Sequence, residues 1–288
     1  MKHSKTWFSV FVGPILMTFA IVVIIPMFLG IYYSFTDWNG INNNATWIGI
    51  QNYIKVFTDD KNFLNAFIFT AKFTVVSVFM INFIGFSLAL IVTKVPKFSG
   101  VYRSIFFMPN LIGGLILGFL WQFIFINAFG YVGKVMEWDS LTGWLSNETT
   151  GFWGLAILMA WQMSGYMMVI YIAAIQNIPE SLIEAAKVDG ATPFQRLKNI
   201  TIPLVAPAFT VGIFLSLSNS FKLYDQNLSL TGGDPAHTTE MLSMNIYNTA
   251  FVFRDMGIAQ AKAVIFLVVV AGISLTQMYF SKKREVEM

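Results

Sequence analysis

The chain has 288 residues, 56% of them apolar and 16% aromatic, with 18 Lys and Arg against 15 Asp and Glu. A charged share of 11%, against roughly 25% in an ordinary soluble domain, is too small to cover a soluble fold, and 29 Phe exclude a disordered chain. With no Cys and two distant His, His3 and His237, thiolate chemistry and a metal cluster are excluded, which leaves a polytopic membrane protein.

A bilayer core takes about 20 largely apolar residues per helix. The first such run, residues 8–33, contains Pro14 and Pro26 and follows the basic opener Lys2 and Lys5. It is too long for a cleaved signal sequence and has no small-residue cleavage site after it, so it reads as a retained signal anchor. The second run covers 73–93 and extends upstream past Lys72 to about Asn65. The third covers 104–133, the fourth 149–179, the fifth 199–221 and the sixth 263–281. All are continuous rather than alternating at period two, which favours helices over barrel strands. The expected fold is all-α, a bundle of six transmembrane helices.

Basic residues set the orientation. Lys2, Lys5, Lys94, Lys97, Arg103, Lys187, Arg196, Lys198, Lys282, Lys283 and Arg284 fall on the side of the two termini. The other side holds Lys55, Lys61, Lys134, Lys222 and Arg254, with Lys72 and Lys262 near span ends. Both termini are therefore expected in the cytoplasm of a cell-membrane protein. The external segments 34–65, 134–148 and 222–262 are long, and the last carries Leu230-Thr231-Gly232-Gly233-Asp234-Pro235. They read either as connectors or as a platform for a docking protein.

The loop at 176–201 is the most structured of the cytoplasmic ones. Pro179 suits a first helical position, Glu180 favours a helix N-terminus, and Gly190 can close the helix in a left-handed turn. Thr192 then caps a second short helix that begins at Pro193. Ala185 and Ala186 leave room for another protein to approach beside Glu184. The residues alone fit an interfacial amphipathic helix equally well.

The string Glu184-Ala185-Ala186, with Gly190 four residues on and Ile200-Thr201-Ile202-Pro203 beyond, resembles the EAA signature of membrane subunits of bacterial ABC importers. Ser34-Phe35-Thr36-Asp37-Trp38, Asn52-Tyr53, the stretch from Tyr102 to Pro109, and Leu230 to Gly233 with Pro235 look like the carbohydrate branch, related to maltose and glycerol-phosphate permeases. Asp234, where Gly is common, and Ile202, where Leu is usual, depart from that pattern. The resemblance implies a type I importer permease fold, with 1–288 as a single permease domain and 176–201 as its coupling loop. It implies that Glu184, Ala185, Ala186 and Gly190 dock in a groove of an ATPase subunit. The chain has no Gly-x-x-x-x-Gly-Lys-Ser/Thr string of its own, so ATP and Mg would be bound by a dimer of partner ATPases. The other implied partners are a second homologous permease and an extracytoplasmic sugar-binding protein, with membrane lipid around the bundle and no nucleic acid.

A hydroxyl-rich solute needs hydrogen-bonding side chains and flat aromatic faces. Span five offers Ser216, Asn219 and Ser220, spaced for one helical face, with Tyr224 continuing it. Span four offers Gln162 and Tyr166 beside Met159 and Met163, and span three offers Asn110. Against the family's maltose members, Ser220 is short and Met159 is apolar where a polar contact is expected. Asn82 and Gln122 read as interhelical contacts. No acid lies inside a span, which fits a neutral solute and argues against the alternative of a proton-coupled secondary transporter, though not against a facilitator. No convergent acid, base and nucleophile suggest an enzyme.

Overall fold

Hydropathy of this kind leaves the backbone no partner but itself inside a bilayer, so helices must satisfy it. The structure, a computed structural model, describes residues 2–41 and 45–283. In chain order, α1 (Lys2–Phe19) runs through a π turn at Ala20–Ile24 into α2 (Ile25–Tyr33), followed by α3 (Gln51–Thr58) and α4 (Lys61–Thr93). Next come α5 (Ser99–Phe107), α6 (Gly114–Phe123), α7 (Phe129–Met136), α8 (Glu148–Gln176), α9 (Glu180–Val188) and α10 (Pro193–Arg196). The remainder is α11 (Ile202–Phe221), α12 (Asp225–Leu230), α13 (Leu242–Tyr247) and α14 (Met256–Lys282). Among the described residues the only extended pairing is one bridge between Thr36 and Trp47.

Among the described residues, six helical stretches are long and apolar enough to cross a membrane: Val10–Tyr33, Lys61–Thr93, Gly114–Met136, Glu148–Gln176, Pro193–Phe221 and Met256–Lys282. Four differ from the sequence expectation, among them the sixth, which begins at Met256 rather than at 263. The second begins at Lys61, a helix roughly 50 Å long. The fifth begins at Pro193, because α10 continues through a π turn at Leu197–Thr201 into α11, so the expected short second helix of the cytoplasmic loop is the first turn of the span. The third run is broken. Pro109 sits in a 3₁₀ turn after α5, and Ile112 and Gly113 are extended at ψ 129° and 141° before α6 starts. Proline lacks an N–H and glycine bears no side chain to hold the helix through.

Two compact units form. One comprises Met1–Phe63 and Asn245–Val268. Here the Asn52 amide donates to the carbonyls of Ser34 (2.9 Å) and Thr36 (2.8 Å), and Ser34 Oγ pairs with the Tyr53 hydroxyl at 2.7 Å. Tyr33 stacks on Trp38 and Phe35 on Trp47, at 4.2 and 5.2 Å between ring centres. Lys262, expected at a span end, lies within α14 and is 2% exposed. Its Nζ reaches Asp60 at 2.6 Å, Thr249 Oγ1 at 2.7 Å and Asn245 Oδ1 at 2.8 Å.

The second unit comprises Leu64–Met244 and Val269–Met288, and α8 is its axis. Leu155, Leu158, Met167, Met168 and Tyr171 on α8 are fully buried. Small residues let neighbours approach: a Cβ on Gly165 would strike the Phe106 carbonyl, and one on Gly85 would lie 2.8 Å from Met167 Cβ. Close backbone approach of this kind is how membrane helices associate without a hydrophobic drive between them. Asn82 joins α4 to α11 and α8, donating to Ser216 Oγ at 2.8 Å and accepting from the Tyr171 hydroxyl. Gln122 Nε2 donates to the Leu230 carbonyl at 3.1 Å. The stretch expected as an external loop after Lys222 instead turns back as α12 onto α6, where the bare Gly118 accepts Ser229. Asn227 then staples the following turn, donating to the Thr239 carbonyl (2.8 Å) and accepting from the Met241 N–H (2.9 Å). Gly232 and Gly233 take φ of +61° and +86° in that turn, and the Asp234–Pro235 peptide is cis.

Candidate functional site

A cavity of about 400 Å³ opens in the second unit where the broken third span, α8, the end of α11 and the start of α12 meet. Asn110, Gln162, Tyr166, Asn219 and Tyr224 line it, together with Met159, Met163, Lys222, Leu223, Asp225 and Gln226. Its position follows from local structure. The break at Ile112 and Gly113 ends the helical hydrogen bonding there, and the Ile112 carbonyl accepts from Gln162 Nε2 at 3.3 Å. Gln162 Oε1 in turn accepts from Gln226 Nε2 at 2.8 Å. This relay fixes both amides and leaves Gln226 Oε1, which lies against Gly114, as an acceptor. The amide of Asn110 and the hydroxyl of Tyr166 have no protein partner among the described residues. The Tyr166 ring lies 6.2 Å from that of Phe107, which steadies it as a flat wall. Asn219 uses its amide N–H on the Leu215 carbonyl at 2.8 Å, so its oxygen remains available.

Five of the seven predicted solute residues are therefore brought together. Ser216 and Ser220 are not: both are fully buried. Ser216 Oγ is held by the Gly212 carbonyl at 2.8 Å and by Asn82, and Ser220 Oγ has no partner. The expectation that they share a face with Asn219 fails because Asn219 is about 100° around the helix from Ser220, across the boundary between packed and open surface. Sequence reasoning missed Lys222, Asp225 and Gln226, since a polar stretch after a span reads as loop. The small residues Gly114 and Gly118, which α12 covers, were the signal that something returns there.

The cytoplasmic loop forms as α9 and a tight turn. Pro179 is the N-cap rather than the first helical residue, and Glu180 opens the helix. At the far end the Gly190 N–H donates to the Lys187 carbonyl (3.1 Å) and the Ala191 N–H to that of Ala186 (2.9 Å), a Schellman closure with Gly190 at φ +76°. Thr192 and Gln195 form a capping box at the next helix. Glu184 and Ala185 are exposed, as is Val188 at 87%, while Ile183 packs inward. No atom lies within 4 Å of a Cβ placed on Gly190. Of the basic residues used for orientation, Arg284 lies outside the described residues.

Six helices long and apolar enough to cross a membrane, a polar cavity in the second unit and an exposed helix on one loop are the features of a polytopic permease rather than an enzyme. The family model described as "Binding-protein-dependent transport system inner membrane component" matches residues 81–286, and the chain belongs to that family. It is 53% identical over 282 residues to a probable starch degradation products transport system permease of Thermoanaerobacterium thermosulfurigenes, covering 98% of this chain and 96% of that one. It is 29% identical over 277 residues to a trehalose/maltose transport system permease of Thermococcus litoralis, covering 93% of each. The fold is that of the bacterial alginate ABC transporter solved with an alginate pentasaccharide-bound periplasmic protein, with a TM-score of 0.84 at 22% identity, over 98% of this chain and 96% of that one. Membership in this family makes the chain a component of an ABC importer and sets aside a free-standing secondary transporter or facilitator.

Proposed function

We propose that this chain is one permease subunit of an ATP-driven importer for a neutral di- or oligosaccharide, with products of starch breakdown the first candidates. The observation that carries the reading is the cavity: its size lies within the range of small-molecule sites, and it combines the Asn110 amide and the Tyr166 hydroxyl, both without a protein partner among the described residues, with the Tyr166 ring as an aromatic wall and an apolar Met floor. Asn110, Gln162, Tyr166, Asn219 and Tyr224 hold the solute on this reading, and Ser216 and Ser220 support the helices behind them. A second, similar permease completes the path. The name of the 53% identical relative supports the substrate class.

Energy enters from outside the chain. A dimer of ATPase subunits binds ATP and Mg, and one of them receives α9 through Glu184, Ala185, Ala186 and Gly190. Closure of the ATPases moves α9, and the bundle alternates between inward and outward access. An extracytoplasmic binding protein delivers the sugar to the opposite face. Residues 1–288 act as one permease domain of the cell membrane with both termini in the cytoplasm, and 176–201 is its coupling loop.

The test is reconstitution of the chain with a second permease and ATPase partners, followed by ATPase turnover against binding proteins loaded from a panel of sugars. A maltodextrin-loaded binding protein should stimulate turnover. No stimulation by any loaded sugar overturns the substrate class, and turnover that rises equally with unloaded binding protein overturns the coupling.

A further inference from the structure

A second cavity, an apolar crevice of about 650 Å³, runs along the second unit between α4 and α11. Ala71, Val78, Phe83 and Phe86 line one wall, and Phe209 and Leu217 the other. Val75, Phe79 and Phe83, spaced four apart, are 72%, 69% and 63% exposed, and Lys72 stands three residues, about one turn, before Val75 on the same stripe. Lys72 is exposed and has no protein partner among the described residues. Thr74, 3% exposed, lines the crevice with an Oγ1 that has no hydrogen-bond partner.

We infer that this crevice holds an acyl chain of an anionic phospholipid whose phosphate lies against Lys72. Depth supports the assignment. The uncharged part of α4 begins at Phe73, so Lys72 stands at the hydrocarbon boundary. From Lys72 to Phe83 the helix rises about 16 Å, close to one leaflet, which is half of the ~30 Å hydrocarbon core. The hydrocarbon wall takes the chain, Thr74 offers a hydroxyl just below the headgroup, and the ammonium supplies the charge a phosphate needs. A lysine on a lipid-facing stripe directs its head toward the headgroup layer, so charge and groove serve the same molecule.

Native mass spectrometry of the full chain, purified in mild detergent and titrated with phosphatidylglycerol or phosphatidylcholine of identical chains, tests this. The unaltered chain should retain one phosphatidylglycerol with about fivefold preference over phosphatidylcholine, the factor worth of one lysine near an anionic surface. Lys72→Gln should abolish the preference, and Val78→Trp, which fills the groove, should lose both lipids. If Val78→Trp does not fold, the headgroup preference of Lys72→Gln decides alone. Equal retention of the two lipids by the unaltered chain overturns the proposal. So does a Val78→Cys thiol that is shielded from maleimide only when a second permease is present, because the groove would then be a subunit contact.

Discussion

Lys262 shows what a single charge costs in this molecule. Its ammonium is buried with all three protons used, whereas Asp60 remains 26% exposed. The two partners are therefore not equivalent. Lys262→Met leaves a carboxylate that can draw on water, while Asp60→Asn leaves a buried cation without its counter-ion, a class of change that costs about 3–5 kcal/mol. Thermal unfolding in detergent should show Asp60→Asn as the more damaging of the two, and equal effects would contradict the asymmetry. At the cavity, Gln162→Ala removes the middle of the amide relay and frees Gln226 to rotate. Uptake should fall about two- to tenfold, the range of one neutral hydrogen bond, with the amount of protein in the membrane unchanged. At the coupling helix, Glu184→Lys reverses an exposed charge without touching the core. ATP hydrolysis should persist while uptake stops, and normal uptake would sink the docking role.

Elements depend on where glycine lets two backbones meet. Gly118 on α6 faces Ser229 on α12 so closely that an added Cβ would lie 2.9 Å from Ser229 Cβ and nearer still to its hydroxyl. Gly118→Ala should detach α12 and abolish uptake, and adding Ser229→Gly should restore much of it. A double-mutant cycle with no such recovery would remove this contact from the account. The same element marks the limit of what the sequence reveals. The long apolar runs required helices, and five of the six spans follow from them to within a few residues at most borders. The break in the third span lay inside an uninterrupted apolar run, where hydropathy carries no information, and Pro109 with the Gly113-Gly114 pair was the only local trace. Asn227 and Ser229 read as loop because burial of α12 depends on a groove in α6, a tertiary fact. Gln162 and Tyr166 were legible because their spacing of four on a long helix fixes a shared face, whereas Asn219 and Ser220 fell on opposite sides of a boundary set by neighbouring helices.

For the whole molecule, the order of the chain matters as much as its fold. The α8 span is the least apolar of the six and yet the most covered, with 72% of its apolar stretch buried. During synthesis it enters the bilayer before α11 and α12 exist, so Gln162 waits 64 residues for Gln226, and the small-residue faces meant for protein first meet lipid. Such a helix is stable in its final place but poorly suited to the interval before it, when exposed polar groups invite quality control. Chains truncated after residue 200 should therefore be degraded faster in a pulse-chase than chains truncated after residue 241, which already carry α11, α12 and the Asn227 staple. Equal lifetimes would mean that α8 finds temporary cover elsewhere. The burial that makes α8 the axis of the finished unit makes it the most vulnerable segment while the protein is being made.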